Sequence, residues 1–337
     1  MPKILIIRFS SIGDIVLTSP VVRCLKKQLA GAEVHFLTKD AFKNIMLNNP
    51  YVDKVYSFKS DVNEVMQQLK AENYNYIIDL QHNLRSLKFK AALRAKSFSF
   101  KKLNIEKWLV VNFKMDLLPP LHIVDRYVYT LKPLGVVNDN ESLDFFINEK
   151  DEVDVSTLPE THSNGYIGFV IGAKHFTKRF PDEKIIEVCR QLNKPVILLG
   201  GPEDAARGNK IVAAVGSNIY NACGKYSLGQ SASLIKQARL IISNDTGLMH
   251  IAAAFKKNII SVWGNTIPEF GMAPYLPTPS DKFNPESKII EVIGLNCRPC
   301  SKIGFDRCPK GHFKCMNDLI ALDIIVGANE LLQDVND

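Results

Sequence analysis

The sequence predicts an α/β protein of two doubly wound domains, each a parallel sheet wrapped by helices. Three observations carry this. Short, apolar, β-branched runs alternate with segments of helical spacing through the first part of the chain. A polar, acidic stretch from Asn148 to Asn164, containing Pro159 and without a clear period, then interrupts the series and reads as a linker. A second alternating series follows it. Alternation of strand and helix implies parallel pairing, with ligands at the carboxyl ends of the strands, and 337 residues are long for a single core. The expected domains are residues 1–155 and 156–337, facing each other across a cleft.

Lys3 to Arg8 (KILIIR) is the first strand. A tight polar turn, Phe9 to Asp14, follows it, and Val21, Val22, Leu25 and Leu29 then recur at helical spacing. Ser19-Pro20 either opens that helix or kinks one already begun near Asp14. Gly13 stands without the two partner glycines of a dinucleotide fingerprint. Glu33 to Thr38, Lys54 to Phe58 and Tyr76 to Leu80 are further strands, with helical segments from Ala41 and from about Asp61 to Lys70. The strands of the second series are Tyr166 to Ile171, Pro195 to Leu199, Asn218 to Ala222, Arg239 to Ile242 and Ile259 to Val262. One helix places Ile185, Val188, Cys189 and Leu192 on a single face, another runs from about Gly229 to Gln237, and a third follows Asp245.

No apolar run approaches the ~18 to 20 residues of a membrane span, and MPKILIIRF reads as a strand rather than a secretory signal. The expected location is therefore the cytoplasm. A net charge of +7 suits an acidic partner: nucleic acid, phosphorylated sugar or anionic membrane.

The strand ends hold the chemistry. Ser243 to Ala254 (SNDTGLMHIAAA) passes from a strand through a polar turn into a helix, so backbone N–H groups point beyond the sheet, which makes an anion site. Asp245 or Thr246 can cap that helix, Gly247 removes a side chain that would block a phosphate, and His250 lies one turn on. In Gly172 to Pro181, Lys174 and Lys178 beside a glycine turn suit an anionic ligand. Gly200-Gly201-Pro202-Glu203-Asp204 offers a carboxylate for ribose hydroxyls or an ordinary helix-opening acid. Trp263-Gly264-Asn265-Thr266 ends another strand of the same series. Asp14, at the exit of the first strand, is a helix cap or a general base for an attacking hydroxyl.

Residues 85 to 107 carry eight Lys and Arg against the single acid Glu106, with Leu84, Leu87, Phe89, Leu93, Phe98 and Phe100 interleaved and Trp108 next. This is a solvated face or a surface that docks on phosphate-bearing lipid. Four of the seven cysteines, Cys297, Cys300, Cys308 and Cys315, have spacing that satisfies zinc arithmetic, with His312 as a substitute ligand. The alternative for this loop, at 297–315, is reduced thiols in packed structure.

Ser10-Ser11-Ile12-Gly13-Asp14 paired with Asn244-Asp245-Thr246-Gly247-Leu248-Met249-His250 resembles glycosyltransferase family 9, the bacterial lipopolysaccharide heptosyltransferases. Asp79-Leu80-Gln81 with Arg85-Ser86, Lys178-Arg179-Phe180-Pro181 and the late cysteines resemble it too. The resemblance implies a GT-B fold, two Rossmann-like domains of which the first binds the acceptor and the second the nucleotide-sugar donor. It implies inverting, metal-independent transfer of a heptose or related sugar from an ADP-linked donor to the inner core of lipid A-linked lipopolysaccharide, without a cofactor. On it, Asp14 is the catalytic base; Ser10, Ser11, Gly13, Gln81 and Arg85 bind the acceptor; and Lys178, Glu203, Asp245, Thr246, Gly247 and His250 bind the donor. Asp204 competes with Glu203 for the ribose. The implied partners are the nucleotide-diphosphate sugar, the lipid-linked oligosaccharide and the anionic inner face of the inner membrane, with no nucleic acid.

Two other functions fit parts of the chain. A nucleotide-sugar epimerase would share the fold and need no acceptor. A nucleic-acid-binding protein would use the cysteines as a zinc knuckle beside the basic stripe, and leaves the polar strand ends without a role.

Overall fold

A computed structural model describes residues 1–276 and 286–333. The chain divides into two compact units. One comprises Met1–Leu103 and Leu121–Phe146; the other comprises Asn104–Pro120, Ile147–Leu276 and the described residues 286–333. The expected boundary at 155/156 thus meets a different partition, because 104–120 packs with the second unit and that unit resumes at Ile147. Stretches 277–285 and 334–337 of the expected second domain lie outside the described residues.

In the first unit, β1 (Lys3–Ile7) leads into α1 (Ile12–Val16) and α2 (Ser19–Gln28). Pro20 sits in the first turn of α2, where its missing N–H costs no helical bond. Leu17 and Thr18 separate the two helices, so Pro20 neither follows a cap at Ser19 nor kinks a longer helix. β2 (Glu33–Lys39), α3 (Asn44–Leu47), β3 (Lys54–Phe58), α4 (Asn63–Ala71), β4 (Tyr76–Asp79), α5 (Leu84–Leu93) and β5 (Lys96–Ser99) follow. The sheet order is β3-β2-β1-β4-β5, all parallel, with Ile7 opposite both Leu37 and Asp79. β1 and β4, where the order of connection reverses, are neighbours, and ligands of doubly wound sheets bind outside such a switch point. Leu5, Ile7, Phe9, Leu37, Phe58, Ile77 and Phe89 form one core beneath the sheet. α7 (Ile123–Val128) completes this unit, and α6 (Asn104–Phe113) belongs to the other.

The second unit continues with α8 (Glu160–Ser163), β6 (Ile167–Val170), α9 (Asp182–Leu192), β7 (Val196–Leu199), α10 (Ala205–Val215) and β8 (Ile219–Asn221). Then come α11 (Leu228–Gln237), β9 (Leu240–Asn244), α12 (Gly247–Ala254), β10 (Ile259–Trp263), β11 (Ser287–Glu291), α13 (Lys314–Asn317) and α14 (Ala321–Gln333). The order β11-β10-β9-β6-β7-β8 puts the switch point between β9 and β6. Ile185, Val188, Cys189 and Leu192 turn the buried face of α9 onto this sheet, as their spacing predicts, and α14 packs beside them through Ile324, Ala328 and Leu331. Among the described residues no helix is long and apolar enough to cross a membrane.

Candidate active site

The first unit assembles a polar cluster at its switch point. Asp14 occupies the first turn of α1. Its Oδ2 accepts from the Ser11 N–H (3.1 Å) and the Ser11 hydroxyl (3.0 Å), so it closes the helix terminus in the manner of a capping box. Its Oδ1 is ion-paired with the Arg8 guanidinium at 2.6 Å. Burial alone would raise the Asp14 pKa; the Arg8 charge and the Ser11 bonds outweigh it and hold the carboxyl below its ordinary value. Arg8 is itself buried and donates to Ser10 O (3.0 Å), Leu80 O (2.5 Å) and the Tyr127 hydroxyl (3.0 Å), with its pKa raised. It therefore joins the loops after β1 and β4. Gln81, half-buried, accepts from the Phe9 N–H at 2.9 Å, tying the same two loops from the other side.

Arg85 is exposed on the first turn of α5, behind the Asn83 cap. Beneath it the fully buried Asp79 accepts from Gln81 N (3.1 Å), His82 N (2.7 Å) and Ser86 Oγ (2.8 Å) and pairs with Lys90 at 3.0 Å. Lys90 thus leaves the basic stripe, because its ammonium compensates a buried charge. Phe89 and Phe100 leave it as well: both are buried, Phe89 against Phe9 and Phe58 in the core. Lys88, Arg94 and Lys96 remain exposed, as do Leu84, Leu87, Ile105, Trp108 and Phe113.

In the second unit three strand ends converge on one oxygen. Lys178, past β6, places Nζ 2.6 Å from Asp245 Oδ2, past β9; the Thr266 hydroxyl, past β10, donates to the same oxygen at 2.8 Å. Thr246 caps α12, its hydroxyl accepting from Leu248 N at 3.3 Å, so Asp245 is free of the capping role. Asn244, wholly buried, donates to the carbonyls of Val170 and Ile171 and accepts from Phe180 N, which locks the Lys178 turn to the β9 end. Gly247 opens α12 and is half-buried, whereas His250 is buried in the second turn.

The two acids of the Glu203-Asp204 turn separate by environment. Asp204 is buried, accepts from Gly201 N at 3.1 Å and has its pKa raised by that burial. A Cβ on Gly172 or Gly200 would come within 2.3 or 2.8 Å of its Oδ2, so this carboxyl fills the space those glycines leave. Glu203 is exposed. Arg8 is the polar residue that sequence reasoning missed, and Thr266 was placed at a strand end without a role of its own. Arg8 looked like the last residue of a strand, and only the fold reveals that it reaches Asp14. Asn265, beside Thr266, is buried with neither side-chain amide atom hydrogen-bonded to protein, a condition rare in native cores.

The cysteine loop is unbridged. Cys297 Sγ lies 3.8 Å from His312 Nε2, and Cys315 packs in the core, its pKa pushed up to about 12 by burial. Among the described residues, the groups that bring three potential ligand atoms within 4.8 Å of one another are Glu33, His35 and Glu72. These are already engaged: His35 with Tyr74 and Glu33, and Glu72 with Lys3, Lys54 and Tyr56.

A family model described as glycosyltransferase family 9 (heptosyltransferase) matches residues 62–304. A curated relative, lipopolysaccharide heptosyltransferase 1 of Campylobacter coli, is 25% identical over 295 residues, covering 78% of this chain and 84% of its own. Among solved structures, a glycosyl transferase family 9 protein of Veillonella parvula superposes with a TM-score of 0.77 at 22% identity, covering 99% of this chain and 98% of its own. An ADP-heptose lipopolysaccharide heptosyltransferase II of E. coli superposes with a TM-score of 0.75 at 20% identity, covering 99% and 100%. These likenesses agree with two parallel-sheet units of the GT-B class.

Proposed function

The chain belongs to glycosyltransferase family 9, the heptosyltransferases, and on that premise we propose that it moves a heptose from an ADP-linked donor to the inner core of lipid A-linked lipopolysaccharide, with inversion and without a metal. The observation that carries the donor assignment is the convergence of Lys178, Asp245 and Thr266 at the switch point of the second sheet. An ammonium held there by a carboxylate, beside the N–H groups that open α12, meets the negative charge of a diphosphate. The name of the E. coli neighbour, which includes ADP-heptose, supports the choice of nucleotide. Glu203, exposed where Asp204 is enclosed, is the acid available to the ribose.

On this reading the acceptor hydroxyl attacks the anomeric carbon from the face opposite the diphosphate. Asp14 takes the hydroxyl proton, the new C–O bond forms, and the electron pair of the broken bond leaves on the ADP phosphate. Asp14 is ionised throughout the neutral range because Arg8 and Ser11 hold its pKa down, which keeps it competent to accept a proton. Lys178 and the α12 N–H groups relieve the leaving group, the part a divalent cation plays elsewhere. Ser10, Ser11, Gly13, Gln81 and Arg85 line the acceptor side. His250, Thr246 and Gly247 shape the donor turn, His250 from within the fold.

The same proposal places the enzyme on the cytoplasmic face of the inner membrane. Lys88, Arg94 and Lys96 on the first unit, and Trp108 and Phe113 on the second, are exposed residues of the kinds that bind anionic headgroups and the interfacial zone.

The test is ADP release from ADP-heptose, measured with and without a lipid A-linked inner-core acceptor, for the native chain and for Lys178→Ala. Release that needs acceptor, and donor affinity weakened at least tenfold by Lys178→Ala, uphold the reading. Turnover of the donor without acceptor assigns the epimerase chemistry instead, and unchanged donor affinity in Lys178→Ala removes Lys178 from the site.

A further inference from the structure

Residues 292–313 form a long loop without helix or strand, and loops of that length inside compact domains usually serve a function. This one is bonded to the donor turns through Arg298, through the Cys300 N–H, which donates to Asn265 O at 3.3 Å, and through Phe305. The Arg298 guanidinium donates to Gly264 O at 2.6 Å and to Thr266 O at 3.0 Å, and it is ion-paired with Glu291. Phe305 N donates to the Thr177 hydroxyl at 2.8 Å, and Thr177 N donates back to Phe305 O at 3.1 Å. Thr177 precedes Lys178, and Thr266 carries the hydroxyl that holds Asp245.

The two anchored turns also touch each other. A Cβ on Gly264 would lie 2.7 Å from Thr177 O and 2.6 Å from the Met316 methyl, so the β10 turn rests directly on the backbone beside Lys178. The Arg298 side chain spans two carbonyls of this turn. Its planar fork matches them, whereas a lysine ammonium presents a point charge and holds one at a time.

We propose that Arg298 is a positioning residue for the donor: by fixing the carbonyls of Gly264 and Thr266 it aims the Thr266 hydroxyl at Asp245, and through Asp245 it sets the place of the Lys178 ammonium. This rests on the donor reading of Lys178 and Asp245 given above. The Thr266 hydroxyl has one proton, and it is spent on Asp245 Oδ2. A small rotation of the turn breaks that bond and frees the Lys178–Asp245 pair to swing. Sub-ångström errors of this kind in charged groups that bind a phosphate cost affinity and rate far from where they arise.

The test uses the full chain and ADP as probe, with affinity from titration calorimetry and kcat and KM from acceptor-dependent turnover. Four variants are compared: Arg298→Lys, Thr266→Val, the double variant and Lys178→Ala. Arg298→Lys is chosen over Arg298→Ala because it keeps the charge opposite Glu291 and so preserves the loop. The expected result is about tenfold weaker ADP binding in Arg298→Lys and in Thr266→Val, with the double variant no weaker than the worse single one, since both changes break one relay. A general loosening of the loop lowers thermal stability without this non-additivity. Losses that multiply in the double variant overturn the relay, as does wild-type ADP affinity in Arg298→Lys. If Lys178→Ala binds ADP normally, the donor reading falls and takes this inference with it; if only Arg298→Lys is normal, the donor reading stands and Arg298 is a loop anchor.

Discussion

The Arg8 guanidinium lies 2.6 Å from the Asp14 carboxylate, and both groups sit where the first sheet changes its direction of connection. A carboxylate paired in this way is ionised at neutral pH and is a weaker base than an unpaired one. The chain sets the readiness of Asp14 against its strength.

Asp14→Asn should lower turnover by about two to four orders of magnitude, the range of a lost general base, with ADP affinity unchanged in calorimetry. In the native enzyme the acid limb of kcat/KM should fall below the ordinary carboxylate range, because the Asp14 pKa is depressed. Arg8→Met removes the partner charge, so the Asp14 pKa rises and the acid limb moves to higher pH. An unmoved limb in Arg8→Met would separate Asp14 from the titration.

Asp79 is wholly buried and makes four polar contacts that hold Gln81, His82, Ser86 and Lys90. Asp79→Ala leaves the Lys90 ammonium facing that pocket alone and opens the loop that carries Gln81 and Arg85. The expected cost in urea unfolding is about 3 kcal/mol, the scale of breaking a buried pair by removing one member. A loss under about 1 kcal/mol would show that water reaches Lys90.

Glu72 receives Lys3, Lys54 and Tyr56, and these bonds pull its pKa from 4.5 down to about 2. A depressed carboxyl pKa contributes stability that is complete above the unfolded value and disappears as pH falls through the folded one. The native chain should therefore lose stability between about pH 4.5 and about pH 2 from this group, and Glu72→Gln should flatten that part of a denaturation-versus-pH curve. Equal slopes in both proteins would assign the acid sensitivity elsewhere.

Reversal of the exposed charges, Lys88→Glu with Arg94→Glu and Lys96→Glu, should reduce flotation with phosphatidylglycerol vesicles several-fold and leave binding to neutral vesicles unchanged. Trp108→Ala should reduce both. Lys90 is excluded from this set because its charge belongs to Asp79. Full retention on anionic vesicles would return these residues to the role of a solvated face.

Strands buried on both faces were the most legible part of the fold, since runs such as KILII and LIISN admit little else than a central parallel strand. The turns at their ends were legible for the same reason: Asp245 follows such a run directly, and Asp14 and Lys178 lie in the polar segments after β1 and β6. Arg8 was hidden because its position extends a strand and its partner is set by tertiary structure. β5 and β11, with Lys96 and Lys288 in their sequences and exposed residues along them, are edge strands whose polarity blurs the pattern. Phe89 looked like part of a basic surface because its neighbours are lysines; a helix with one buried turn face accommodates both. α14 carried a readable period in Ile324, Ala328 and Leu331 that the cysteines before it overshadowed.

The allegiance of 104–120 has one more result. The polypeptide changes units after Leu103, again after Pro120 and a third time after Phe146, and the Lys114 ammonium is bonded to Pro299 O at 2.7 Å. A fragment starting at Ile147 therefore lacks a structural piece of its own body, and a single scission after Phe146 leaves that piece attached to the first unit. Anyone wishing to study the second unit in isolation must graft that excursion back on, in the way a circularly rearranged gene would.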